Sequence, residues 1–102
     1  MKYVFEWDPS KSRTNRAKHG VDFPLAAAVF RDPLAVSVYD DHHSADEERW
    51  LTMGKSPGAV LLVVAHTVSE VDAQHTVIRL FSARRATRNE KKVLFRTRCV
   101  VR

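Results

Sequence analysis

Ala59-Val60-Leu61-Leu62-Val63-Val64-Ala65 is apolar at every position. A strand with one wet face alternates polar and apolar residues, so a run without alternation belongs to a strand covered on both faces, at the centre of a sheet. At seven residues it is far short of the roughly 20 needed to span a membrane as a helix. The chain has 102 residues, 44% of them hydrophobic, with few glycines and prolines, which predicts one folded domain over 1–102 built on a single modest core. The N-terminus, Met1-Lys2-Tyr3-Val4-Phe5-Glu6-Trp7, lacks the apolar segment of a secretory signal. A lone cysteine, Cys99, excludes an internal disulfide and fits a reducing compartment. The expectation is a soluble cytoplasmic protein without a membrane anchor.

The elements around that strand follow from local signals. Weak alternation over residues 1–6 predicts a short first strand. Asp8 as N-cap, Pro9 in the first turn and Gly20 as a left-handed stop predict a helix from Pro9 to His19. That helix holds Lys11, Arg13, Asn15, Arg16 and Lys18, with Ala17 its only apolar residue. Short helices owe their stability to an apolar face, so this one must be pinned by its flanks, Trp7 and Phe23. A second helix starts at Asp22, with Phe23, Ala26, Ala27 and Phe30 on one face, and ends at Asp32-Pro33. Strands are expected at 35–39, 48–53, 59–65 and 76–83, with a turn over Gly54-Lys55-Ser56-Pro57-Gly58. In the last strand, period two puts Ile78, Leu80 and Ser82 on one face and Val77, Arg79 and Phe81 on the other. Arg79 is then either a buried partner of a carboxylate such as Glu48 or part of an open charged groove. Thr87 and Glu90 form a capping box for a final helix carrying Val93, Leu94 and Thr97. The fold class is therefore α+β: a small antiparallel sheet meander flanked by two N-terminal helices and one C-terminal helix.

Charge is segregated within the net +5. Arg79, Arg84, Arg85, Arg88, Lys91, Lys92, Arg96, Arg98 and Arg102 face a single acid, Glu90, in the last quarter, while Asp32, Asp40, Asp41, Asp46, Glu47 and Glu48 crowd the middle. Phosphate recognition uses such a basic end beside a basic helix; a solubilising surface or one awaiting an acidic protein shares the same composition. His42-His43 in the acidic loop lack metal-site spacing, and neither a metal nor a cofactor is expected. No glycine-rich phosphate loop, nucleophile elbow or zinc-deaminase signature is present. What remains is a cationic group, Lys18, His19, Arg79 and Arg84, with Ser82 and Glu48 in reach. Such an inventory suits RNA cleavage by the 2′-hydroxyl. The protein need only move two protons and stabilise the charge on phosphorus, tasks that suit histidine and arginine. His19 could equally serve the carbonyls at its helix end.

The string Phe5-Glu6-Trp7-Asp8, Lys11, Asn15, Lys18-His19-Gly20-Val21, Phe23, Ala26, Val29-Phe30 and Asp32 resembles the opening of the BrnT toxin family. Glu48-Arg49, Gly54, Ile78-Arg79, Ser82-Ala83-Arg84-Arg85-Ala86 and Glu90 resemble the rest of its signature, from Phe5 to about Phe95. The resemblance implies a fold like the RelE and ParE toxins and a metal-independent endoribonuclease, the toxin of a type II toxin–antitoxin pair that arrests translation and growth. It implies Lys18, His19, Arg79 and Arg84 as catalytic residues, with Lys11, Asn15, Glu48, Ser82, Arg85 and Arg88 supporting them or binding RNA. It also implies a BrnA-like ribbon-helix-helix antitoxin, through which the complex would bind operator DNA. Phe95 stands where the family often has tyrosine, so a hydroxyl is lost there or the ring only packs. Two other functions remain open on the residues alone: a ParE-like, non-catalytic gyrase poison, and a basic module that binds nucleic acid or an acidic protein.

Overall fold

The computed structural model describes residues 2–41 and 47–93. The elements are β1 (Lys2–Glu6), α1 (Pro9–His19), α2 (Phe23–Ala27) running into a 3-10 turn (Ala28–Arg31), β2 (Val36–Tyr39), β3 (Trp50–Lys55), β4 (Leu61–Glu70) and β5 (His75–Arg85). A last helix, α3, covers residues 88–93. The architecture is α+β, with the sheet ordered β1-β5-β4-β3-β2; the apolar run supplies the first half of the middle strand, where Leu62, Val63 and Val64 are all buried, and that strand continues past Ala65 through polar residues to Glu70. The sheet is not wholly antiparallel: β1 runs parallel to β5, Lys2 facing His75 and Glu6 facing Arg79. Antiparallel pairing is enforced by hairpins, and β1 joins β5 through most of the chain. His42, His43 and Asp46, and Leu94, Phe95, Thr97 and Cys99, lie outside the described residues. Among the described residues no helix is long and apolar enough to cross a membrane.

The core forms where Val21, Phe23, Ala26 and Val29 meet Leu62, Val64, Ile78, Leu80 and Ala83, with Phe5, Trp7, Ala27, Phe30 and Val60 packed against them. Burying each of the larger side chains contributes about 1.5–3 kcal/mol. Trp7 and Phe23 do bracket α1, their rings meeting edge to face at 6.3 Å. Gly54 belongs to β3 and not to a turn; a Cβ there would lie 2.9 Å from Val29 Cγ1 and 3.0 Å from the Ala35 Cβ, so glycine marks the close approach of sheet and helix layer. The turn itself is Ser56 to Ala59, closed by Ala59 N–H donating to Ser56 O at 2.9 Å.

A β-bulge alters the phase of β5. Ser82 faces Ala65 and Leu80 faces His66, leaving Phe81 as the extra residue. Ile78 and Leu80 point into the core as the alternation predicts, but beyond the bulge the core position belongs to Ala83, which is fully buried, and Ser82 is exposed. Arg79, Ser82 and Arg84, opposite Thr67, Ala65 and Val63, therefore share the face away from the core.

Helix α1 starts and stops where its caps dictate. Asp8 Oδ1 accepts from Ser10 N–H at 2.9 Å, and Gly20, at φ 73°, donates its N–H to Arg16 O. Its buried side chains are polar, Ser12 and Asn15. Ser12 Oγ accepts from Phe23 N–H at 3.0 Å, and Asn15 works at the edge of the sheet. Beyond Arg79, β5 has no β1 partner; there Asn15 Nδ2 donates to Ala83 O at 2.7 Å and Asn15 Oδ1 accepts from Ala83 N–H at 3.2 Å. The same Nδ2 donates to Val21 O at 2.7 Å. The side-chain amide thus stands in for a neighbouring strand.

Helix α3 is anchored by charge. Glu90 accepts from Thr87 N–H at 2.8 Å and returns its own N–H to Thr87 Oγ1 at 3.2 Å, the expected capping box. Its carboxylate also takes a two-pronged bond from Arg84, at 2.7 and 2.8 Å. The Arg84 guanidinium first, and the Thr87 N–H second, hold the Glu90 carboxyl at about 2, and the Arg84 pKa is raised in return.

Two outcomes follow. Asn15→Leu leaves the Ala83 N–H and two carbonyls without this partner; urea unfolding should show a loss of at least about 3 kcal/mol, each buried orphan costing about 1–3 kcal/mol. Glu90 has a depressed pKa, so its contribution is complete above the ordinary carboxyl value of 4.5 and disappears as pH falls through about 2. Because the pair is partly solvated, wild type should exceed Glu90→Gln by only about 1 kcal/mol near pH 7, with the two converging below pH 2 in pH-dependent urea midpoints.

Candidate active site

One stripe of α1 and the bulged part of β5 wall a cavity of about 310 Å³, lined by Ser10, Lys11, Thr14, Asn15, Lys18, His19, Phe81 and Ser82. The stripe follows from helical spacing: positions 11, 14, 15, 18 and 19 lie on one face. Asn15 holds that face against β5, and Gly20 ends the helix directly after His19. Lys18, His19 and Ser82 are exposed at the cavity. The cavity therefore brings together five expected residues, Lys11, Asn15, Lys18, His19 and Ser82. The Asn15 amide is committed to backbone groups of Val21 and Ala83, which makes it scaffold for the cavity.

Arg79 continues the same face of β5. It is exposed, and its Nη1 lies 3.6 Å from Glu6 Oε1, so the carboxylate beside it is Glu6 and not Glu48, and its face is the open one. Arg84 shares that face, held by Glu90. Arg85 faces Leu62 across the ladder, out of phase with Arg79, Ser82 and Arg84, while Arg88 is exposed in the first turn of α3. Glu48 is placed elsewhere. It lines a second cavity, of about 460 Å³, with Ser37, Trp50, His66, Val68 and Glu70. The register accounts for this: Trp50 pairs with His66, which is buried on the core side, and Glu48 is in phase with Trp50.

Arg49, one residue out of phase with Glu48, lies instead over Phe81, its guanidinium 4.5 Å from the ring centroid; Lys11 Nζ is 5.9 Å from the same ring. Neither Arg49 nor Phe81 is among the site residues that the sequence predicts, whereas Lys11 is. A phenylalanine beside arginines on the non-core phase of β5 was the available signal for Phe81.

His66 is a buried histidine of a different kind. Its Nδ1 lies 3.2 Å from Thr67 O, an acceptor, so Nδ1 carries the proton, and Nε2 accepts from Thr52 Oγ1 at 2.6 Å. Ser37 Oγ is 2.7 Å from Thr52 Oγ1 and completes a hydroxyl chain. Burial pushes the His66 pKa down, opposed by the bond to Thr67. The imidazole is neutral and fully bonded within the sheet. Among the described residues no group of three or more His, Cys, Asp or Glu side chains is placed to hold a metal ion.

Comparison with known proteins connects this arrangement to a family. The crystal structure of the Brucella abortus ribonuclease toxin, BrnT, superposes with a TM-score of 0.61 at 23% identity, covering 86% of this chain and all of that one; at that identity the likeness establishes the fold. Curated protein sequences gave no match. The sequence profile described as "Ribonuclease toxin, BrnT, of type II toxin-antitoxin system" matches residues 7–90, a span that runs from Trp7 through the α1–β5 cavity to Glu90. The chain belongs to the family of BrnT ribonuclease toxins of type II toxin–antitoxin systems, enzymes whose substrate is RNA and whose partner is an antitoxin.

Proposed function

We propose that the α1–β5 cavity is where this toxin cuts RNA, by metal-independent attack of a 2′-hydroxyl on the neighbouring phosphorus. The observation that carries this reading is the convergence of Lys11, Lys18, His19 and Ser82 on one open cavity, with Arg79 on the same strand face. In the reaction the 2′ oxygen forms a bond to phosphorus and the bond from phosphorus to the 5′ oxygen breaks. One proton leaves the 2′-hydroxyl and another reaches the departing 5′ oxygen, giving a 2′,3′-cyclic phosphate and a free 5′-hydroxyl. His19 is the proton-transfer group. Lys18 and Arg79 stabilise charge on the pentacoordinate phosphate, and Ser82 hydrogen-bonds a phosphate oxygen. Arg84 acts as a positioning residue, fixing α3 beside the site through Glu90. Lys11, Arg85 and Arg88 extend the cationic surface along the backbone of the RNA, where their effect falls with salt. Glu48, on the other side of the sheet, is given no role in the cut.

On this reading 1–102 is one toxin domain that acts in the cytoplasm and stops translation and growth. Its partner is a BrnA-like antitoxin with a ribbon-helix-helix domain, and the complex binds operator DNA through that domain. The basic surface around α1 and β5 suits an acidic or RNA-mimicking segment of such a partner.

Purified, antitoxin-free protein should cleave RNA in EDTA and leave 2′,3′-cyclic phosphate ends, while a substrate with deoxyribose at the cut site stays whole. His19→Ala should lower the rate about 10²–10⁴-fold, the usual contribution of a general acid or base, with unchanged thermal stability because the side chain is exposed. Intact RNA after incubation with folded wild type would sink the reading, as would a His19→Ala variant of full activity.

A further inference from the structure

Phe81 is a large aromatic side chain that the core does not use. The interior takes Ile78, Leu80 and Ala83 from β5, with Phe5, Trp7 and Phe30 packed against it, and Phe81 is in neither group. As the extra residue of the bulge, it lies between the Leu80 and Ser82 pairings. The bulge brings it beside Ser82 on the cavity wall, where the residue is partly exposed. Two cations attend it. The Arg49 guanidinium lies over the ring, 4.5 Å from the centroid; Lys11, 5.9 Å away, lines the cavity itself.

A ring with this setting has a specific use on a surface that binds a polyanion. Proteins recognise single-stranded RNA by stacking unpaired bases on aromatic rings and guanidinium planes while neighbouring cations follow the phosphates. Lys11 and Lys18 are two turns apart on the wall opposite Phe81, spaced to follow a backbone. We propose that Phe81, with Arg49 beside it, is the platform on which a nucleobase of the RNA stacks beside the phosphate to be cut. The inference rests on the RNA-cleaving reading of the cavity and adds a requirement to it: the base next to the cut must be unpaired, whatever its identity. Phe81 is on this account a substrate-binding residue.

The test is fluorescence anisotropy with a short, labelled, single-stranded 2′-O-methyl RNA, which lacks the attacking hydroxyl and stays intact. In wild type, an abasic substitution scanned along the RNA should weaken binding about tenfold or more at one position and little elsewhere. Phe81→Leu keeps apolar bulk without a π face; it should bind the unmodified RNA about tenfold more weakly, with an unchanged salt dependence, and be insensitive to the abasic position. Phe81→Trp should bind at least as tightly as wild type. A flat abasic scan in wild type overturns the platform, and so does wild-type affinity in a folded Phe81→Leu variant. Wild type that neither binds nor cleaves any RNA overturns instead the underlying reading of the cavity.

Discussion

The hydrogen bonds between the Asn15 amide and the backbone of Ala83 determine how α1 sits on β5 and so the shape of the proposed site. Strand β5 runs six residues past the last residue that β1 can pair, and exposed edges of that kind recruit other strands. A side chain 68 positions away in sequence closes the edge with one donor and one acceptor, as a peptide group would. Once Asn15 is fixed there, helical geometry leaves no choice about Lys11 and Lys18: they flank it on the same stripe and must overhang β5. Ser12, on the buried side of the helix, bonds Phe23 N–H and so ties the start of α2 to the same framework. A helix with no apolar face of its own is therefore held by polar contacts as well as by its aromatic flanks, and its cations are left to line the cavity.

How much of this was legible depends on the range of the signal. The limits of α1 were written in Asp8, Pro9 and Gly20, and the start of α3 in Thr87 and Glu90, because each acts within a few residues of itself. The central place of β4 was equally plain from unbroken apolarity. Long-range facts were not. Asn15 looked like one more polar residue on a charged helix, since its partner is visible only in three dimensions. Gly54 looked like a turn beside Pro57 and Gly58, when the approach of Val29 and Ala35 is what requires it. The phase of β5 was right as far as Leu80, and the bulge then exchanged Ser82 for Ala83. The same sensitivity to phase separates Glu48 from Arg49. A shift of one residue in a strand moves a side chain through the sheet, so the carboxylate expected near Arg79 lies on the far side and an arginine takes the near one.

The two faces of the sheet consequently place the same residue type in different surroundings. His66 sits in the core layer with both ring nitrogens bonded, and burial opposes its protonation. Moving a proton through it would require the Thr52 and Ser37 hydroxyls to reverse together. His19 stands at a helix end on the open side, beside Lys18 and Ser82. Of these two imidazoles, that of His19 is the exposed one, and the proposed proton transfer is assigned to it.

The cations of the open face also differ in how firmly they are held, which orders what RNA can recruit. Arg79 and Glu6 are both about half-exposed and 3.6 Å apart. A pair of that kind contributes roughly 0–1 kcal/mol, less than a charge-assisted bond to phosphate in a partly desolvated cleft contributes. Arg84 is bound at both nitrogens by a carboxylate that is itself fixed by the α3 cap. Withdrawing it would cost two short bonds and loosen the helix start. An incoming phosphate would therefore take Arg79 from Glu6 before it took Arg84 from Glu90. On the proposed reading, the strand offers one exchangeable arginine to the substrate while the other keeps α3 in place, and both roles depend on the register that Asn15 and the bulge impose on β5.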